Sequence, residues 1–316
     1  MPVWFLSGEG SADQTIEKGA LSVQSVTLPM LPEQAIHVSL DALANQLVAS
    51  LRDNLKIPGG ELHVGPVVCK NLHSPERSVE TSLILEDVQV EPLLSQFWDH
   101  PMKGTIAGGF DPVRLEGDRV QSKGEISANV LNGEVTLSDF GISRVFSPGP
   151  VLEIGARWNR LSLAELTSGT AFGKVQGILE GHINGLEVAY GQPQAFDLLL
   201  ETVKTKGVSQ KISVKAVDNI SQLGGGQSPF MGVAGAFAVV FKEFPYKKIG
   251  IKASLENDVF RINGTIREGG KEYLIKRGSI SGVNVVNQNP DNRVGFKDMV
   301  KRFKRVTAGK SSPVVK

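Results

Sequence analysis

The chain has 316 residues and a formal net charge of +1, so it is long enough for two ordinary domains and has no basic excess typical of a nucleic-acid binder. Its 35 glycines and 6% aromatic residues are typical of a protein with many short strands and tight turns. One cysteine excludes an internal disulfide, and no run approaches the ~20 apolar residues that cross a bilayer. The start, MPVWFLSGEG, lacks the features of a signal peptide, so none is predicted.

Short segments rich in β-branched residues follow one another along most of the chain and predict strands. They lie at residues 20–28, 61–72, 78–88, 105–110, 124–140, 151–158, 174–183, 195–203, 249–256, 259–266 and 273–280. Residues 124–140 form the clearest hairpin, with Asn132-Gly133 supplying both φ > 0 positions of a type I′ turn. Helices and strands do not alternate, so a parallel doubly wound fold is not predicted.

Three segments predict helices. Residues 41–55 carry leucines four residues apart, which is one apolar stripe of a helix. Residues 228–244 begin at the capping residue Ser228 and are apolar nearly all round, including Phe230, Val233, Phe237, Val240 and Phe244. This segment is too short to span a bilayer, so we expect it to bury against the rest of the protein.

The third predicted helix, 295–306, has an apolar face with Phe296 and Phe303 and a basic opposite face. The basic residues are Lys297, Lys301, Arg302, Lys304 and Arg305. Two interpretations stay open: an interfacial helix that faces lipid headgroups or a partner, or a helix that docks on its own sheet. The residues after Gly309 are expected to be disordered.

An internal repeat relates residues 90–110 to residues 163–183. Gly104 matches Gly177 and Gly108 matches Gly181, and each copy predicts a short helical turn, a loop and a strand with glycines four residues apart. This spacing favours a repetitive array over a single catalytic core, although a β-meander can produce the same similarity by chance.

Motifs for catalysis or metal binding are weak. The glycines at 224–226 resemble a phosphate-binding loop but lack the following Lys, so we interpret them as a joint between two helices, the first of which carries Val214, Val217 and Ile220. His63, Cys69 and His73 lack a fourth zinc ligand, and no nucleophile or acid–base motif is found. The sequence predicts no enzyme, no catalytic or metal residues and no cofactor.

Residues 208–306 resemble a known family. The segments VSQKISVKAVDNISQLGGG, FKEFPYKKIGIKASLENDVFRING and GGKEYLIKRGSISGVNVVNQNPDNRVGFKDMVKRFKRV are similar to the C-terminal region of YdbH-like proteins of the AsmA-like superfamily. The upstream segments LSLAELTSGTAFGKVQGILEGHINGLEV and GQPQAFDLLLET extend the resemblance to roughly residues 85–306.

The resemblance implies an elongated, taco-shaped antiparallel sheet with a few short helices, two or three of them near the C-terminus. It implies bridge-like transfer of phospholipid along a hydrophobic groove, in the periplasm, between the inner and outer membranes. The implied partners are phospholipid acyl chains, an outer-membrane lipoprotein that adds a strand, and an inner-membrane anchor from an N-terminal region outside this chain. No nucleic-acid partner is implied.

Alternating side chains predict which residues would line such a groove. The candidates for the inner wall are Ile126, Ala128, Val130, Val135, Leu137, Leu152, Ile154, Trp158, Phe196, Leu198 and Leu200. The predicted helix 228–244 would close the end of the groove. From the residues alone, the same pattern also fits the dry core of a closed sandwich.

The expected organisation is a repetitive β-groove segment at 1–207, a C-terminal cap with helices at 208–306 and a disordered tail at 307–316. The first alternative function is a periplasmic scaffold or chaperone for the assembly of outer-membrane proteins or secretion complexes, which would need accessible sheet edges. A second is a surface structural protein, which would have a dry core.

Overall fold

The computed structural model describes residues 17–27, 31–43, 45–95, 101–223, 242–280, 282–288 and 294–296. In this part of the chain, the strands form one 21-stranded sheet in which every pairing is antiparallel. The sheet does not close into a barrel, and the helices between the strands are short. The prediction of a mainly β protein with an open antiparallel sheet is therefore confirmed.

The elements follow one another along the chain in three groups. The N-terminal group contains β1 Glu17–Val26, β2 Gln34–Leu43, β3 Gln46–Leu51, β4 Leu55–Ile57, β5 Gly60–Val64, β6 Val67–Lys70, β7 Ser78–Gln89 and α1 Val90–Leu94. The central group contains β8 Gly104–Glu116, β9 Arg119–Val130, β10 Gly133–Ser143, β11 Val151–Ser162, α2 Leu163–Leu166, β12 Val175–Gln176, β13 Ile178–Ala189 and β14 Gln192–Val203. The C-terminal group contains β15 Lys211–Ser213, α3 Val214–Leu223, β16 Glu243–Glu256, β17 Val259–Gly264, β18 Ile266–Glu268, β19 Lys271–Arg277, β20 Val285–Val286 and β21 Val294–Gly295.

The long strands run up and down beside their neighbours in sequence, which gives the sheet two different long rims. The order from one end is β17, β16, β14, β13, β11, β10, β9, β8, β7, β6, β3, β2 and β1. One rim, here named the turn rim, consists of the loops at 117–118, 144–150, 190–191 and 257–258. The other, the helix rim, consists of α1, the turn 131–132 and α2.

A line of β-bulges crosses the middle of the sheet. The register shifts at 110–113 in β8, at 137–141 in β10, at 154–156 in β11 and at 184–187 in β13. The flanking residue pairs place these shifts at the same level in every pairing from β8–β9 to β13–β14. Because a bulge bends its strand and increases the local twist, the aligned bulges bend these strands along one line.

Most of the buried apolar residues belong to the C-terminal group of elements. Strand β16 pairs with β14 and β17 in the long sheet, and its first residues also pair with β15 and β19. Ile212, Val217, Leu274 and Ile275 are at most 1% exposed. Helix α3 packs here because Val217 and Ile220 lie on its buried face, as the sequence predicted for this segment.

The helix predicted at 41–55 is wrong. These residues form the end of β2, then β3 and β4, and Ala42 pairs with Leu47 across a tight turn. Leucines spaced by four residues share one face of a strand as well as one face of a helix, because four is a multiple of the two-residue strand period. The pairing with β1 and β6 on either side decides in favour of strands.

The hairpin turn at the end of β9 lies one residue earlier than predicted. Leu131 and Asn132 have the positive φ values, 51° and 56°, and Val130 pairs with Gly133. Gly133 is needed for a different reason, because a Cβ there would collide with the backbone of Asn159 and Arg160 on β11.

Two further predicted helices, 228–244 and 295–306, lie only partly within the described residues. Phe244 lies in strand β16, 5% exposed, so the helix predicted at 228–244 does not include it. Gly295 belongs to β21 and not to a helix, while Phe296 packs partly buried against the core. Outside the described residues lie Phe230, Val233, Phe237, Val240, Lys297, Lys301, Arg302, Lys304, Arg305, the glycines at 224–226 and the tail.

The two copies of the predicted repeat have the same local structure. In each, a long strand ends in a helical turn, α1 or α2, whose first residue, Val90 or Leu163, is buried. In each, a later strand returns from a glycine with positive φ, Gly104 at 156° or Gly177 at 145°. The repeated element is therefore a strand, a helical turn and a returning strand.

A candidate lipid-binding face

Residues that face each other across the strand pairs form continuous apolar rows on one face of the sheet, here named the apolar face. The middle row contains Ala253, Leu198, Ile183, Ala156, Leu137, Ile126, Gly108, Leu85 and Leu62. Every residue in it is apolar or glycine, and it extends from β16 to β5. At ~4.8 Å per strand this distance is roughly 40 Å.

Two parallel rows widen the apolar face. Toward the helix rim lies the upper row, with Ile251, Leu200, Gly181, Trp158, Val135, Ala128, Ile106 and Val88. Toward the turn rim lies the lower row, with Val188, Leu152, Ile142, Val120, Leu115, Val79, Cys69 and Leu47. The same face therefore stays apolar across most of the width of the long strands.

All the wall residues predicted from sequence lie on the apolar face. They are half-buried, apart from Val130, which is 7% exposed beside the helix rim. The matching positions on β7, β8 and β13, including Leu85, Ile106 and Ile183, were not among the predicted wall residues. The alternation within residues 78–88, 105–110 and 174–183 was the signal that could have found them.

The opposite face of the sheet is polar and is connected by ion pairs. Arg157 on β11 lies 2.8 Å from Glu125 on β9, and Arg119 on β9 lies 2.9 Å from Glu153 on β11. Both pairs reach across β10. Because the hydrophilic groups lie on this face, we expect it to face water. The apolar face is then the surface that must be covered or filled.

The apolar face is covered differently at its two ends. On β16 and β17, Ala253, Leu255 and Phe260 are 4%, 2% and 7% exposed, and the ring of Phe260 meets Phe196 edge-on with centroids 6.3 Å apart. From β14 toward the N-terminal strands, the middle and lower rows are half-buried within a single layer of strands. The complete burial seen on β16 and β17 therefore does not continue along these two rows.

The helix rim covers the upper row. Leu131 and Leu166 pack against a buried cluster that includes Val90, Val130 and Leu163. Trp158 belongs to this covered zone, and its indole Nε1 is buried without a hydrogen-bond partner in the described part of the chain. The ring of Trp158 adds apolar area to the upper row, while its N–H is a donor that no described residue satisfies.

Polar side chains of the described residues border a cavity on the opposite face of the sheet. A cavity of about 510 Å³ opens on the polar face beside Thr136, Arg157, Glu180 and His182. The described residues contain no group of three His, Cys, Asp or Glu side chains placed to hold a metal. His63 lies on the polar face, where it bonds to Asn54 through Nδ1. Cys69 lies in the lower row of the apolar face, so the two side chains are on opposite faces of the sheet.

Burial and hydrogen bonding explain the ionisation of two groups near β16. Burial raises the pKa of Tyr246, whose hydroxyl donates to the carbonyl of Gln176 at 2.6 Å. For Glu201, burial acts to raise the pKa, but hydrogen bonds from Lys248 and Thr265 outweigh burial and lower it. Both interactions join β16 to another strand.

No protein-family model, no curated protein and no solved structure matches the chain. In the described part of the chain, no helix has both the length and the apolar character needed to cross a membrane.

Proposed function

We propose that this chain is part of a bridge-like lipid transfer protein that carries phospholipid acyl chains along the apolar face of its sheet, between the inner and outer membranes of a cell envelope. The observation that carries the proposal is the middle row, which is apolar across consecutive strands and half-buried while the opposite face carries the ion pairs. The resemblance of residues 85–306 to YdbH-like proteins supports the same function, and the periplasmic location depends on that resemblance.

The physical mechanism follows from the uniformity of the apolar face. An acyl chain needs no polar partner, and each buried CH₂ group contributes about 0.8 kcal/mol wherever it lies along the wall. Movement by one strand spacing exchanges one apolar neighbour for another, so the free energy changes little along the row. Such a surface holds a lipid and lets it slide, whereas a specific pocket would trap it.

Tryptophan quenching tests the proposal directly. Trp158 lies in the upper row, and the other two tryptophans, Trp4 and Trp98, would be replaced by Phe to leave a single fluorophore. We expect brominated acyl chains to quench Trp158 and lipids brominated only near the headgroup to quench it less. Unchanged emission with both lipids, in protein from which no phospholipid co-purifies, would contradict the proposal.

A second candidate is a scaffold that binds client strands, and one observation favours it. Strand β1 is exposed along nearly its whole length and pairs only with β2 in the described part of the chain. Such an edge can accept an added strand. Replacing Ser22 with Pro would block addition without touching the middle row, so client binding lost with lipid loading retained would favour the scaffold.

A further inference from the structure

Two aromatic side chains project from the turn rim. Phe146 is 71% exposed in the loop 144–150, and Tyr190 is 77% exposed in the turn between β13 and β14. The loop and the turn are neighbours because Val151 pairs with Ala189, and the hydroxyl of Tyr190 lies directly over Gly149. The two aromatics therefore belong to one local surface, here named the aromatic lip.

The backbone of Tyr190 shows that the turn itself does not favour an aromatic residue. Its φ is 52°, in the left-handed region that favours Gly, Asn and Asp. The corresponding turns of the sheet use Gly117-Asp118 and Asn257-Asp258 at these positions. The ring packs on the loop 144–150 at Gly149 and still remains 77% exposed, so most of its surface is open to a partner.

The charge of the aromatic lip and its position indicate the partner. The only charged residue in the loop 144–150 is Arg144, and the turn 190–191 has none. The lower row begins directly behind it, because Leu152 pairs with Val188 one position further into the sheet. Exposed aromatic rings beside a cation and an apolar wall match the headgroup region of a phospholipid bilayer.

We propose that the aromatic lip docks on a phospholipid membrane surface and is where an acyl chain passes from the bilayer onto the lower row. The passage of the acyl chain rests on the proposed lipid transfer function. The membrane contact depends only on the residues of the aromatic lip. Phe146 and Tyr190 insert among the headgroups, and Arg144 faces lipid phosphate. The acyl chain then moves over the turn rim onto the lower row. It does not cross the helix rim, which is already covered.

The test compares the variant F146S/Y190N with the wild type and with the control V208S/I280S. The control removes two exposed apolar side chains, 38% and 94% exposed, that lie away from the turn rim. Because Asn tolerates a positive φ better than Tyr, Y190N should leave the melting temperature unchanged or raised, which separates lost binding from lost folding.

Two measurements are made on each protein. The first is flotation with vesicles of phosphatidylethanolamine and phosphatidylglycerol, together with the rate of extracting a fluorescent phospholipid from them. The second is loading with a fluorescent fatty acid kept below its micelle concentration. We expect F146S/Y190N to lose flotation and extraction by roughly tenfold, with fatty-acid loading and the control unchanged.

Each other outcome has a distinct meaning. Flotation and extraction by F146S/Y190N equal to wild type would overturn the aromatic lip as a docking surface. A wild type that never loads the fatty acid would contradict the proposed lipid transfer. If that wild type still floats, and F146S/Y190N does not, the membrane contact stands without the transfer function.

Discussion

The ammonium group of Lys248 lies 2.8 Å from Oε1 of Glu201, and Thr265 donates to the same carboxylate oxygen. Lys248 and Glu201 join β16 to β14, beside the pair formed by Glu201 and Gly250. This is the point where the dry C-terminal core meets the half-buried part of the apolar face. The ion pair therefore helps to hold the two parts of the sheet together.

The first prediction concerns pH. Since the pKa of Glu201 is lowered in the folded protein, its contribution to stability is full above the ordinary glutamate pKa of about 4.3 and is lost as pH falls through the lower folded value. We expect Glu201→Gln to weaken stability at neutral pH and to flatten the acid limb of a melting-temperature profile. Lys248→Met should have the same effect, and an unaltered acid limb in both variants would exclude this role.

The second prediction separates the two faces of the sheet at adjacent positions. Leu137 lies in the middle row and Thr136 faces the polar side, where it bonds to Ser127 at 3.1 Å. We expect Leu137→Asn to weaken acyl-chain binding by about tenfold, because it places an amide against hydrocarbon, whereas Thr136→Asn leaves binding near wild type. Titration with a fluorescent fatty acid measures both, and equal affinities would show that the ligand does not contact the middle row.

The third prediction concerns a glycine of the predicted repeat. A Cβ at Gly181 would collide with the carbonyl oxygen of Leu199 and lie 2.9 Å from the indole of Trp158. We expect Gly181→Ala to cost about 1–3 kcal/mol and to shift Trp158 emission, since neither neighbour can move freely. At Gly185, which has φ 55° and open space around it, Asn should be tolerated. Denaturant unfolding compares the two, and equal loss of stability in both would contradict the packing argument.

The fourth prediction compares the dry core with the open wall. Leu274 is fully buried in β19, whereas Leu137 is half-buried in the middle row. We expect Leu274→Ala to cost about 2–5 kcal/mol in the free energy of unfolding, because it leaves a cavity in close-packed surroundings. Leu137→Ala should cost clearly less in delipidated protein and should show its larger effect only when lipid is bound. Similar costs without lipid would mean that a second layer covers the wall.

Particular residues show which parts of the fold could be predicted from the sequence. The alternation of Ile126, Ala128 and Val130 predicted strand β9, and the repeated glycines predicted the two returning strands, because these patterns depend on local geometry. The leucines at 43, 47, 51 and 55 gave a wrong prediction of a helix, since their spacing fits a strand as well as a helix. Which one forms was decided by the pairing of β2 with β1 and of β3 with β6, two strands that lie outside the leucine segment.

The sequence by itself determined the two-residue alternation, and with it which side chains share a face of each strand. The tertiary structure alone decided that these faces join into rows from β5 to β16, because register between strands depends on bulges and partners that no single segment specifies. It also decided that the apolar face is fully buried on β16 and β17 and mostly half-buried along the middle and lower rows of the other strands, since burial depends on what lies above a strand as well as on the residues within it.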